Sequence, residues 1–167
     1  MRKFTFTFLL ISIVIFNSCG PTVEQAIKYN DKIIEQDDSI SAKIEALIDT
    51  YDKFDPKEMD QAYNEAMKEI QKGIDFATKL KPFADDSSFK DGALVLFNAY
   101  KSILEVQHKR IIELLKLPES EYGDKEVEEF EQLIEQANKK IDVELDNLIA
   151  IQEKFANTHQ FPIEEDK

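Results

Sequence analysis

FKDGALVLFNAYKSILEVQHKRIIELLKL, residues 89–117, decides the fold. Apolar side chains recur at Ala93, Leu94, Leu96, Phe97, Tyr100, Ile103, Leu104, Ile111, Leu114 and Leu115, spaced mostly three or four apart. That spacing places them on one face and predicts a helix from about Phe89 to Leu117. Pro118 stops it, because proline lacks an N–H and clashes with the preceding turn.

The same periodicity extends outward on both sides. A helix is expected from about Thr22 to Phe54, opened by the capping-box pattern Thr22-Val-Glu-Gln25. Its stripe includes Ala26, Ile33, Ile40, Ile44, Leu47 and Tyr51. Asp55-Pro56 closes it and opens a second helix to about Leu80, with Asp55 as N-cap and Pro56 at the first helical position. Phe83 to Ser88 reads as a polar connection, and Ser87 or Ser88 can cap the helix that follows. A fourth helix is expected from about Lys125 to Asn157, carrying Val127, Phe130, Leu133, Ile134, Ala137, Ile141, Leu145, Leu148 and Phe155. No segment alternates with the period of a strand.

Four helices of similar length joined by short links predict an all-α, antiparallel up-down-up-down four-helix bundle. A dimer of extended helical hairpins would carry the same pattern, but short links favour local packing. The bundle is expected over residues 23–158, followed by an acidic C-terminal tail at 159–167.

Residues 1–22 read differently. Arg2 and Lys3 precede an apolar stretch from Phe4 to Phe16, and Asn17-Ser18-Cys19-Gly20 follows. A basic start, an apolar run too short to span a bilayer comfortably and a small residue before a junction are the features of a cleaved export signal. Cys19 is the only cysteine in the chain. The segment resembles the lipobox of bacterial lipoproteins, with Phe16 and Asn17 where leucine and a small residue are commoner. The rival is an ordinary signal that leaves a free thiol. The resemblance implies residues 1–18 as signal peptide, acylation of Cys19, a short tether at 19–22 and a bilayer partner. Several acyl chains together anchor stably where one is marginal. Gly20, in place of the aspartate associated with inner-membrane retention, leans toward the outer membrane.

The whole chain carries a formal charge of −13, and loss of Arg2 and Lys3 would make it −15. Such a surface excludes nucleic acid and disfavours anionic head groups. The alternating topology gathers Asp52, Asp55, Glu119, Glu121 and Asp124 at the end away from the tether. That tip is either a landing surface for a basic partner or a solvated pair of helix starts, whose acids complement the helix dipole. The second explanation is preferred.

Polar residues interrupt the apolar seams. Asn30 and Asp37 fall on inward positions of the first helix, and Gln107 on the third. Their ordinary role is to pair and fix register; their sharper role is to line a ligand cleft between helices. Catalytic motifs are weak. Glu105-Val106-Gln107-His108 has the E-x-x-H spacing of di-iron bundles, which need two such motifs and two further glutamates. The chain has one other histidine, His159, with Ala156 where its glutamate would stand, and Glu105 and His108 are expected off the main stripe. No C-x-x-C-H, phosphate-binding glycine loop or nucleophile elbow is present. No cofactor, metal or catalytic residue is assigned.

Ala26-Ile-Lys-Tyr29-Asn30-Asp31-Lys-Ile33-Ile34-Glu-Gln36, shortly after the cysteine, resembles the opening of a family of bacterial helical surface lipoproteins without assigned activity. It implies a cell-envelope location and a helical fold, and brings no site residues. The expectation is a non-enzymatic interaction or spacer module for an envelope protein partner, with a small-molecule binder as the alternative.

Overall fold

A computed structural model describes residues 20–163. The expected signal, Cys19 and the last four residues lie outside that range. Five helices make up the fold: α1 (Val23–Ile48), α2 (Pro56–Lys79), α3 (Ser88–Ile103), α4 (Lys109–Leu115) and α5 (Asp124–His159). α3 and α4 are one continuous rod, joined by a single π turn at Leu104–His108, so the architecture is an all-α bundle of four rods. No strand occurs among the described residues.

Local chemistry sets the ends. The Thr22 hydroxyl accepts from the Gln25 N–H while the Gln25 side chain accepts from the Thr22 N–H, the reciprocal pair the sequence predicts. Asp55 accepts from the N–H groups of Lys57 and Glu58 at the start of α2, and these bonds hold its carboxyl below the usual range. α1 ends at Ile48, earlier than the periodicity suggested. Tyr51–Lys53 form a 3₁₀ turn instead, and Phe54 turns left-handed at φ 51° to reverse the chain. Tyr51 still packs inward at 5% exposure, which is why the stripe seemed to run on through it.

The link between α2 and α3 turns tightly. Phe83 and Asp86 exchange two backbone hydrogen bonds around Ala84 and Asp85, both at positive φ (50° and 64°). Such a turn favours glycine or asparagine-like residues at both centres. Ala84 is exposed and strained there. Ala84→Gly should therefore raise stability by about 0.5–1 kcal/mol, the relief of the left-handed alanine less the extra freedom of the unfolded glycine. Urea denaturation checks this; a loss of stability would show that the turn is not held in this form.

The core is one apolar cluster fed by every rod: Ile33, Ile40 and Leu47 of α1, Met59 and Ile70 of α2, Phe89, Leu96 and Phe97 of α3, Leu148 and Phe155 of α5. Two glycines let the rods approach. A methyl group on Gly73 of α2 would stand 2.6 Å from Ile40 Cδ1 and 3.3 Å from Phe97. One on Gly92 of α3 would stand 2.8 Å from Ile151 Cδ1 of α5.

The two ends of the molecule are distinct. At one, Tyr29 of α1 packs on Phe83 of the α2–α3 link, Phe89 of α3 and Phe155 of α5, and its hydroxyl donates to the Lys81 carbonyl. At the other, Tyr51 meets His108 and Phe130, and Lys116 pairs with Asp60. The expected tail is shorter than drawn from sequence. α5 runs to His159, which packs on Phe83 and Phe155, and Phe161 is buried with its N–H donating to the Ala156 carbonyl. Hydrophobic residues at 161 and 163, not acids, govern that stretch.

Candidate functional site

The seams of the bundle are not equivalent. α1 against α2, α2 against α3, and α3 against α5 pack closely, whereas α1 and α5 touch at fewer points. Between them runs an open trough of two adjoining hollows, and a third adjoins it on the surface of α5. The first, about 720 Å³, lies between Ile27–Asp38 of α1 and Leu145–Gln152 of α5 and is closed below by Phe161, Pro162 and Ile163. The second, about 220 Å³, shares Leu145 and is floored by Tyr100, Ile103 and His108. The third, about 580 Å³, shares Asn138 and runs along the surface of α5 alone to Phe130.

The trough is lined by apolar residues and rimmed by acids. Ile34, Ile44, Ile141 and Leu145 are half-buried along it, and Ile27 and Ile149 remain 37% and 42% exposed. Two of the three inter-helix polar residues expected from sequence lie here. Asn30 accepts a hydrogen bond from Gln152 Nε2 at 2.9 Å, a link from α1 to α5. Asp37 accepts from the Tyr100 hydroxyl at 3.1 Å, and Ser41 Oγ lies 3.3 Å from the same hydroxyl. Burial pushes the Asp37 carboxyl up to about 6, partly opposed by the Tyr100 hydrogen bond. Burial likewise raises the Tyr100 phenol.

The third, Gln107, does not join them. It is absent from the lining of the trough and sits half-buried with its side-chain oxygen unpartnered. The cause is the π turn, where the Lys109 N–H reaches back five residues to the Leu104 carbonyl. The wider turn swings Gln107 away from the face of Leu104 and leaves His108 as the inward residue. His108, expected off the stripe, is 4% exposed, and its Nδ1 lies 2.7 Å from the Tyr51 hydroxyl. Burial lowers its pKa to about 4, so the ring is neutral at pH 7. The spacing Tyr100, Leu104, His108, Ile111 carried that signal, since it continues the buried face without a break. Glu105 of the E-x-x-H points to solvent.

No protein family, curated protein or solved structure matches this chain. Its chemistry must be judged from its own residues. Asp52, Asp55, Glu119, Glu121 and Asp124 are all exposed at the links joining α1 to α2 and α4 to α5. Asp55 is engaged as a helix cap, and Asp124 opens α5 beside the Gly123 N–H that Glu126 accepts from. Among the described residues no three carboxylates, imidazoles or thiols converge as metal ligands. The trough has a largely apolar floor, with Asn30, Asp37, Ser41 and Tyr100 among its polar groups.

Proposed function

We propose that this chain is a lipid-tethered, non-enzymatic module of the cell envelope. Acylated Cys19 holds it to the bilayer, in the outer membrane, and the trough between α1 and α5 grips another envelope protein. The open trough is the observation that carries this proposal. A bare spacer would gain nothing from leaving Ile27 and Ile149 exposed and Ile34 and Ile141 only half-buried between its first and last rods, because each exposed apolar side chain forgoes burial free energy. The polar residues Asn30, Asp37, Ser41 and Tyr100 favour a second possibility, a small molecule with an apolar body and a hydrogen-bonding head.

Two experiments test the two halves. Cys19→Ala should abolish incorporation of labelled palmitate and release the protein from membranes; retained label would end the lipoprotein proposal. A photo-crosslinking residue at Ile34, in the trough, should capture a defined envelope protein in living cells. The same residue at Val95, exposed on α3, should not. Equal capture at both positions, or at neither, would remove the trough from the proposal.

A further inference from the structure

Four inter-helix contacts of the bundle are crossed by a bond from a lysine or arginine, whereas α1–α5 is crossed by the neutral Gln152–Asn30 hydrogen bond. Lys43 reaches Glu65 at 3.0 Å across α1–α2, Arg110 reaches Glu129 at 2.7 Å across α4–α5, and Lys140 donates to Ser102 at 2.8 Å across α3–α5. Lys116 pairs with Asp60 across α4–α2. Among the described residues no ion pair crosses α1–α5. The charges along that trough instead have one sign. Asp31, Glu35 and Asp38 line its α1 wall, and Glu135, Asp142 and Asp146 line the hollow that adjoins it on α5. None of these six takes part in an ion pair, and Lys139 is the one cation among the described lining residues.

An apolar strip with acids on its α1 wall and beside it on α5 specifies its complement. The strip follows α1 from Ile27 to Ile48, about 30 Å at 1.5 Å per residue, the length of a helix of about 20 residues. Both walls are helices and offer no free strand edge, so an added strand would find no backbone partners. A second copy of the chain, at a formal charge of −13, and an anionic lipid would each bring more negative charge to the trough. We infer that the α1–α5 trough receives one amphipathic helix of a partner protein, with an apolar face and Lys or Arg along both flanks. This rests on the proposal that the trough grips another protein, and it names the kind of segment gripped. The seated helix would bury its apolar face on Ile34, Ile44, Ile141 and Leu145 and pair its flanking cations with the acids of the α1 wall and of the adjoining α5 hollow.

The test uses the full lipidated chain in discs of zwitterionic lipid, with empty discs as baseline. The probe is a synthetic 20-residue helix with leucine at i, i+3, i+4, i+7 spacing and lysine on both flanks. Its control carries glutamate in place of lysine. The lysine peptide should bind and the glutamate peptide should not. Asp38→Lys with Asp146→Lys should weaken binding at least tenfold, whereas Glu119→Lys with Glu121→Lys, the same charge change at the tip, should leave it within twofold. Equal weakening by both pairs would mean that the peptide reads net charge alone and would overturn the inference, as would no binding. If crosslinking at Ile34 captures a protein while the lysine peptide fails, the interaction module stands and the basic helix falls.

Discussion

Phe97→Ala should lower the unfolding free energy by about 3–5 kcal/mol, the range for emptying a phenylalanine site in a closed core. Phe97 is fully buried where α1, α2 and α3 meet, against the bare Cα of Gly73 and near Ile40. The three rods are braced on their other faces, so the space cannot collapse, and the lost contacts are not recovered. A companion variant makes the test sharper. Gly73→Ala removes the backbone freedom of a mid-helix glycine, a gain of about 1 kcal/mol, but its methyl would meet Ile40 at 2.6 Å and Phe97 at 3.3 Å. With Phe97 truncated, part of that crowding disappears. The two substitutions should therefore couple, the alanine at 73 being better tolerated in the Phe97→Ala background. Urea denaturation of all four proteins gives the coupling. Additive effects, or a Phe97→Ala loss below about 1 kcal/mol, would mean that the α2–α3 packing is looser than described.

Between pH 6.5 and pH 4 the chain should hold nearly level stability from two groups that would each tilt it. His108, at about 4 in the folded state against 6.5 when unfolded, is a lowered base. The unfolded state takes up its proton first, so its contribution is present above pH 6.5 and is lost as pH falls toward 4. Asp37, at about 6 folded against 3.8 unfolded, is a raised acid. The folded state takes up its proton first, so stability is gained as pH falls through 6 and is complete below 3.8. Each effect is about 2 kcal/mol after allowance for solvent, and over the shared window the signs oppose. Asp37→Asn keeps an acceptor for the Tyr100 hydroxyl and removes the charge. That variant should be more stable than the parent by about 2 kcal/mol at pH 7 and should lose that margin by pH 4. Parallel curves for parent and variant would show that Asp37 is not held as a buried carboxyl.

Periodicity reports that a face is buried, and where burial alone decides, the sequence was sufficient. Ala93, Leu96, Phe97, Tyr100, Leu104 and Ile111 are all core, as their spacing required. Caps were legible because they are short-range chemistry: Thr22 with Gln25, and Asp55 before Pro56. The π turn was not, since a hydrogen bond reaching five residues instead of four leaves no mark of its own. The spacing Tyr100, Leu104, His108, Ile111 held the inward place of His108, but the polarity of histidine and the heptad position of Gln107 pointed the other way. A stripe also does not say which neighbour covers it. The stripes of α1 and α5 read like those of α2 and α3, yet α1 and α5 leave Ile27 and Ile149 exposed and Ile34 and Ile141 half-buried between them. The acids at 31, 35 and 38 line the trough and those at 135, 142 and 146 the hollow beside it on α5, a placement that depends on how the rods sit together and not on either stripe alone. Phe161 and Ile163 were hidden by the acids that follow them.

α2 holds α1 through Ile40 over Gly73 and through Lys43 on Glu65. Near its start, Tyr29 sits among Phe83, Phe89 and Phe155. Were the chain fastened at Cys19 as proposed, any pull between the membrane and a captured partner would enter through that rod. The load would meet the Tyr29 aromatic cluster first, so the end nearest the tether is locked into the core rather than left to swing.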